Sequence, residues 1–445
     1  MRAVIRRLLR FTLRAGLILG AGYMLVGYLM TRLSAEVGFI SEREVIRAPL
    51  DRIDSLFPVT ALGAVSVHSG RSHDAVGTFD EVGRAATTTG LDFVVLGDHP
   101  GDWVEADNPL RPRRAQGALL IPGLELVVAD RGRVLVFGVD TLPQRWEGTL
   151  TELVQEVDPV DGFISVVHPR SPRTREMWKS QVAEGVHAWE SMDVSEMARA
   201  RLAEPLGAFY VANFLVALPT GRGDRTVTRL WRERASTPAI LAFDSIRSSV
   251  PTVLTGGLNH HPKTRIAGKL FPAYEPFFRS VVNHLMLEGP LADDPIVARR
   301  QVAAALREGR LFVTLGNAPE AEGFRSWVEH DDGTVVRSGE QAEWQPGDRL
   351  MVRIPEGAPG RTLVRVIQNG RATGYFPADP GEGLSITLPQ PGIYRVEVHH
   401  AGRSVLGRRF NQRPWIFANP IELTGPLNEA ILASPPDSLQ GASEA

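Results

Sequence analysis

Along one stretch of this chain, short apolar runs repeatedly lead into a histidine or an acid. Ala61–Val67 is followed by His68, and Phe93–Gly97 leads into Asp98 and His99. Ala118–Pro122 leads through Gly123 and Leu124 to Glu125, and Phe163–Val167 is followed by His168. Thr252–Gly256 leads into Asn259, His260 and His261. Val134–Val139 and Val186–Trp189 read as further strands. Helical patterns lie between several of them. One opens on the capping box Thr78-Phe79-Asp80-Glu81 and ends at Gly90, and another covers Leu150–Val157. A late helix, Ile296–Arg307, stops at Gly309 and feeds Leu311–Leu315. This alternation predicts parallel strands in an α/β layered or barrel fold. In such folds the carboxyl ends of the strands share one mouth, so side chains distant in sequence converge there.

Composition narrows the chemistry. The chain of 445 residues contains no cysteine, which excludes disulfides, thiolate metal sites and a cysteine nucleophile. A metal would have to be held by His, Asp, Glu or Asn, and imidazoles mixed with carboxylates suit Zn, Mn or Fe. The net charge of -2 gives no sign of a nucleic-acid binder. P-loop, GxGxxG-after-strand and GxSxG motifs are missing, so nucleotide-binding and serine-hydrolase readings lack support.

The ends of the chain differ in kind. Arg2, Arg6, Arg7, Arg10 and Arg14 precede an uncharged run of 17 residues, Ala15–Thr31. That arrangement predicts a basic cytoplasmic segment (1–14), a transmembrane signal anchor (15–31) and a linker (32–58). The main domains would then lie outside the cytoplasm, in the periplasm. A cleaved signal peptide is the alternative. After about residue 325, Val335–Arg337, Leu350–Ile354, Leu363–Ile367 and Ile393–Val398 follow with no helical run between them, and Asn369-Gly370 marks a hairpin. This predicts a β-sandwich over 325–425, packed by Trp415-Ile416-Phe417, with His399-His400 exposed at a strand end and a disordered tail over 433–445. Arg222-Gly223-Asp224 reads as a polar loop.

The stretch Val67–His99 resembles the opening of the PHP (polymerase and histidinol phosphatase) family. His68-Ser69 is similar to its second His and Thr, Ser72-His73-Asp74 to the following Ser/Asp element, and Gly97-Asp98-His99 to its TDH. Pro122-Gly123-Leu124-Glu125 is similar to PGxE, Val167-His168-Pro169 to the HP motif, and Trp189-Glu190 to a later element near the site. The final DxH motif has two candidates, Asp244-Ser245-Ile246 and Asn259-His260-His261; the second follows the better strand. The sequence departs from the pattern at Ser66, where the first His of HxH belongs, and at Asn259, where the acid belongs. The resemblance covers roughly residues 59–320. It implies a distorted (β/α)7 PHP-type barrel and a metal-dependent phosphoesterase. Its metal ligands would be drawn from His68, His73, Asp74, His99, Glu125, His168, Asn259 and His261. It also implies divalent ions (Zn, Mn or Fe) at one or two sites rather than three. Asp98, His99 and His260 are the candidate catalytic groups, with His260 a spare ligand or proton donor. Arg71, Arg170 and Arg173 are candidates for phosphate binding. The expected substrate is a phosphorylated small molecule or envelope polymer, with no nucleic acid. The alternative is a catalytically inactive binding or scaffold protein on the same fold.

Overall fold

In the computed structural model, the described residues are 2–32, 45–47, 59–105, 109–129, 131–140, 142, 146–171, 178–179, 184–203, 207–209, 212, 237–316, 318–401, 403–405, 408–410 and 413–426. Arg173, Arg222-Gly223-Asp224, most of the linker and the tail from 433 lie outside them.

The first helix, α1 (Arg2–Arg32), carries the basic residues and the uncharged run. Among the described residues no helix is long and apolar enough to cross a membrane. The expected anchor is corrected accordingly, and with it the membrane and periplasmic placement. The physical reason lies in the run itself. Its 17 residues include four glycines, which puts it at the short and weakly apolar end of the roughly 17–25 residues that a span takes.

The α/β region is built from β2 (Val59–Val67), β3 (Phe93–Leu96), β4 (Arg113–Ala115), β5 (Ala118–Ile121), β6 (Gly123–Val128), β7 (Gly132–Phe137), β8 (Phe163–Val167), β9 (Ala188–Asp193), β10 (Val253–Gly257), β13 (Val281–Leu287) and β14 (Leu311–Leu315). A preceding short strand, β1 (Val45–Arg47), joins the C-terminal region, and β11 (Thr264–Ile266) with β12 (Lys269–Phe271) forms a separate hairpin. One sheet has the order β10-β9-β8-β7-β6, and a second contains β13-β2-β3-β5-β4. The two sheets meet at isolated parallel bridges, Val67 with His260 and Asp98 with Leu124. The strands therefore do not form one continuous closed ladder. They are stapled at the carboxyl ends of β2, β3 and β10, which are the ends that carry the candidate site.

The expectation of parallel strands holds for β2 with β3, β3 with β5, β8 with β9 and β9 with β10. It fails at β7, which runs antiparallel to both β6 and β8. Only residues 129–131 separate β6 from β7, too few for a crossover.

Helix α2 (Phe79–Thr89) begins at the capping box, with Thr78 and Glu81 reciprocally bonded, and ends on Gly90 at φ 77°. Its buried face of Val82, Gly83, Ala85 and Ala86 lies against the sheet. At Gly83 a Cβ would sit 2.4 Å from the Ala115 carbonyl oxygen, so only glycine permits that approach. Helix α3 (Leu150–Val157) repeats the device with Thr149 and Glu152. Then come α4 (Val194–Ala203), α5 (Thr237–Arg247), α6 (Tyr274–Phe278) and α7 (Pro295–Arg307), the last capped by Asp294.

The C-terminal region is β-rich: β15 (Arg325–Glu329), β16 (Val335–Arg337), β17 (Gln341–Glu343), β18 (Arg349–Arg353), β19 (Thr362–Gln368), β20 (Arg371–Ala378), β21 (Gly383–Thr387), β22 (Gly392–His400), β23 (Arg403–Val405), β24 (Arg408–Phe410), β25 (Arg413–Ala418) and β26 (Ile421–Thr424). The sheet β1-β21-β18-β15-β16 shares a core with β19, β22, β25 and β26, through Val328, Leu350 and Ile386 on one side and Val366, Tyr394 and Trp415 on the other. Asn369-Gly370 forms the two-residue turn between β19 and β20. Trp415 and Phe417 are buried, so they pack and offer no surface platform. His399 and His400 are half-buried rather than exposed, one on Glu397 and the other stacked on Trp415. Strand β25 pairs with β14, so one sheet continues from the α/β region into this one.

Candidate metal centre

Strand ends and backbone twists bring the candidate residues together. Ser66, His168 and Asn259 are non-glycine residues with positive φ, at 61°, 54° and 44°. All three lie where β2, β8 and β10 reach the mouth. Left-handed backbone is costly for such residues and clusters where a structure must aim side chains off the strand direction. The result is a cavity of about 620 Å³ lined by, among others, Asp74, His99, Glu125, Arg133, His168 and His261.

Ligand atoms of His68, Asp74, His99 and His261 all lie within 4.8 Å of one another, a geometry able to hold a metal ion. The hydrogen-bond network assigns the tautomers of two of these histidines. His261 Nδ1 is 3.0 Å from the Asn259 carbonyl oxygen, which can only accept, so Nδ1 carries the proton. Burial, then the neighbouring His68, pushes the His261 pKa down to about 3, so the ring is neutral. Its Nε2 lone pair then faces Asp74 Oδ2 at 3.1 Å. His68 is tied back through its Nδ1 in a similar way. Ser72 Oγ donates to Asp74 Oδ1 at 2.8 Å and receives the His99 N–H at 3.2 Å, leaving it to accept from His68 Nδ1 at 3.2 Å. His68 Nε2, fully buried, has no hydrogen-bond partner and faces Glu125 Oε2 at 3.4 Å. At His261 two acceptors oppose each other, an arrangement that a cation between them relieves. Nδ1–H tied back to the protein with Nε2 free is also how metal-bound histidines are oriented.

Glu125 and His168 form the adjoining part. Glu125 Oε2 lies 3.4 Å from both His68 Nε2 and His168 Nε2, and Oε1 receives Arg133 Nη1 at 2.6 Å. Burial alone would raise the Glu125 pKa, but His168 and the hydrogen bonds to it outweigh that and hold the carboxylate well below its usual range. Likewise burial works against a charged His168, and Glu125 with Asp193 overcomes it and raises its pKa well above normal. His168 Nδ1 lies 2.6 Å from Asp193 Oδ2, while its backbone N–H goes to Glu190. His168, Glu190 and Asp193 form a second group of closely spaced ligand atoms. Burial first, then the Asp193 charge, raises Glu190 well above the carboxylate range and Glu196 to about 8.

The other predicted residues are distributed unevenly. Asn259 lies against the pair formed by His168 and Asp193, its amide nitrogen 3.2 Å from His168 Nδ1. Asp244 is instead in α5, paired with Arg395 away from the cavity. His73 is exposed, its ring 4.9 Å from that of His99. Asp98 is buried and bonded by both the Ser69 N–H and the Ser69 hydroxyl, so it fixes the turn after β2. His260 is stacked on Phe277, and burial drives its pKa down to about 3, so near neutrality the ring is neutral and does not act as an imidazolium acid. Arg71 bonds the Pro109 carbonyl and lies over Phe79 and Trp103. Arg170 is exposed and is not among the residues lining the cavity. Sequence reasoning missed Arg133, Asp193, Glu196 and the cavity-lining Arg199 and Lys263. Arg133 opens β7, and because that strand is antiparallel its beginning lies at the mouth. The short separation of Glu125 from Arg133 across a hairpin was the available signal.

No family model matches the chain, and neither does any curated protein. Among solved structures it is similar to PsfC from Pseudomonas syringae PB-5123, at 15% identity and TM-score 0.33, over 55% of this chain and 96% of that one. Endonuclease Q in complex with a 27-mer duplex substrate carrying an abasic lesion matches at 16% identity and TM-score 0.22, over 33% of this chain and 47% of that one. The lesion-specific endonuclease PfuEndoQ from Pyrococcus furiosus matches at 13% and 0.30, over 62% and 64%. At these scores the likenesses carry no functional conclusion for this chain. The structure does correct one expectation: with cationic side chains lining the cavity, the absence of a nucleic-acid partner is no longer expected, nor is the restriction to phosphorylated small molecules and envelope polymers. Net charge was a poor guide because binding depends on local charge, and Arg133, Arg199 and Lys263 all line the cavity.

Proposed function

We propose that this chain is a metal-dependent hydrolase acting on phosphoesters, on a distorted (β/α)7 barrel of the PHP type formed by β2, β3 and β6–β10. The observation that carries the reading is the pair of imidazole Nε2 atoms, on His68 and His261, directed at carboxylate oxygens 3.4 Å and 3.1 Å away. The donor set fits a borderline cation such as Zn, Mn or Fe. His68, Asp74, His99 and His261 would hold it, with Glu125 alongside. A divalent ion there would supply Lewis acidity and a water nucleophile at neutral pH. Asp193 orients His168, Ser72 orients His68 and Asp74, and the Asn259 carbonyl orients His261. Lys263 lines the same cavity and offers charge to a phosphoryl group.

The test uses the full chain, stripped with chelator and titrated with Zn or Mn by calorimetry and elemental analysis. Hydrolysis of p-nitrophenyl phosphate and its bis-ester is measured in parallel. Metal uptake with phosphoester cleavage is expected, and His261→Ala should weaken the metal by at least roughly tenfold. A chain that takes up no metal sinks the proposal. A second reading, a metal-binding module without turnover, draws on Ser66. Its hydroxyl is buried without a partner where the resemblance puts a ligand. Metal uptake without cleavage of either ester would favour it.

A further inference from the structure

The first of the two cavities continues into a second. The second cavity, of about 590 Å³, shares His73, His99, Glu125 and Arg133 with the first and extends to Trp146. Arg133 therefore stands at the boundary between them. Its position is set by the sheet: in the β6–β7 and β7–β8 ladders it pairs with Val127 and with Val167, the residue before His168.

The atoms around its guanidinium outline a metal position. Glu125 Oε1 and His99 Nδ1 are 4.0 Å apart. Two ligands of a tetrahedral zinc ion at about 2.0–2.1 Å sit about 3.4 Å apart, so this pair would need to close by roughly 0.6 Å to share one ion. Arg133 Nη1 lies 2.6 Å from the oxygen and 3.4 Å from the nitrogen. The guanidinium thus brings a planar, delocalised positive charge to both atoms. The guanidinium also has capacity left. Its Nε is buried without a hydrogen-bond partner, and among the described residues only Nη1 is engaged.

We propose that the Arg133 guanidinium takes the place of a second metal ion on Glu125. The chain then binds one divalent ion, held by the cluster of His68, Asp74, His99 and His261, and Arg133 supplies the second positive charge to a phosphoryl group in the cavity. This rests on the metal-dependent reading of the site. The planar guanidinium would reach phosphoryl oxygens through the N–H groups that Glu125 leaves unused. A leaving group would extend along the second cavity toward Trp146.

The decisive measurement is the number of ions per full-length chain, by elemental analysis after reconstitution with Mn and by calorimetric titration. Binding of inorganic phosphate to the Mn-loaded protein is measured alongside. One ion per wild-type chain is expected. Arg133→Ala should keep that ion and weaken phosphate by roughly tenfold or more, the loss of a charge-assisted contact. Arg133→Lys should keep one ion and recover part of the phosphate affinity. Two ions per wild-type chain overturns the proposal, and so does unchanged phosphate binding in Arg133→Ala. If the alanine variant does not fold, the wild-type ion count still decides. No ion in the wild type removes the metal-dependent reading itself, an outcome distinct from two ions.

Discussion

At the scale of single residues, the site depends on which groups carry protons. Ser72 shows how tightly this is arranged, since one hydroxyl donates to Asp74 while accepting from His68 and from the His99 backbone. A similar constraint away from the site gives a pH prediction. His284 is fully buried on β13, with Nε2 against Thr314 Oγ1 at 3.0 Å. Burial first, then the Arg325 charge, lowers its pKa to about 3. The unfolded chain therefore binds a proton at this residue below about pH 6.5 that the folded chain refuses. The stabilising difference is complete above that pH. It is lost as pH falls toward 3, by up to about 1.4 kcal/mol per unit. Urea midpoints across pH 4–8 should show His284→Gln losing less stability in acid than the wild type. Parallel curves for the two proteins would refute the assignment.

At the scale of elements, helix α2 matters because it follows directly on the loop that carries Ser72, His73 and Asp74. Its start is fixed twice over. Thr78 Oγ1 accepts the Glu81 N–H, Glu81 accepts the Thr78 N–H, and Arg265 grips the same carboxylate through both terminal nitrogens. Arg265 belongs to β11, in the hairpin that follows His261, so one carboxylate ties together the loops on both sides of the proposed ion. Thr78→Ala should cost about 1 kcal/mol, within the usual range for a lost N-cap. It should also weaken metal binding, because Asp74 and His261 would lose their common support. Calorimetry with and without metal would separate these effects. Loss of stability with unchanged metal affinity would show the cap to be independent of the site.

At the scale of the whole molecule, the α/β and β-rich regions are joined through buried polar contacts as well as a shared sheet. Arg395 on β22 is almost fully buried and holds Asp244 of α5 through two nitrogens, each at 2.7 Å, with Glu397 beside it. Asn419 closes the same seam, accepting from the Leu254 N–H and donating to the Leu254 and Leu311 carbonyls. Asp244→Ala leaves a buried guanidinium with one acid instead of two and should destabilise by about 3 kcal/mol. Scanning calorimetry should report this as a clear fall in melting temperature. A change within about 0.5 kcal/mol, the range of ordinary surface substitutions, would mean that the junction does not depend on this pair.

The sequence by itself determined what depends on near neighbours. Apolar runs of strand length, the capping boxes at Thr78 and Thr149, the turn at Asn369-Gly370 and the placing of histidines and acids at strand ends are all local patterns, and the structure keeps them. One further rule, that strand ends share a mouth, brought His68, His99, Glu125, His168 and His261 into consideration together, whereas the grouping of His68 and Asp74 with His99 and His261 came from the fold. What the sequence left open depended on pairing between distant segments. Asn259 was preferred over Asp244 only because it follows the better strand, until the fold put Asp244 on a seam with Arg395 and Asn259 against His168. Arg133 was not visible as a site residue because strand direction is set by partners, and only an antiparallel β7 turns its first residues toward the cavity. Proton positions were likewise undecided, since each tautomer depends on loop geometry that residue types do not show, His261 Nδ1 on the Asn259 carbonyl and His68 Nδ1 on Ser72. For α1 the uncharged run suggested a membrane span, but among the described residues no helix is long and apolar enough to cross one. Strand ends and turns were thus legible in the sequence, whereas charge balance at the centre was settled only by tertiary contacts.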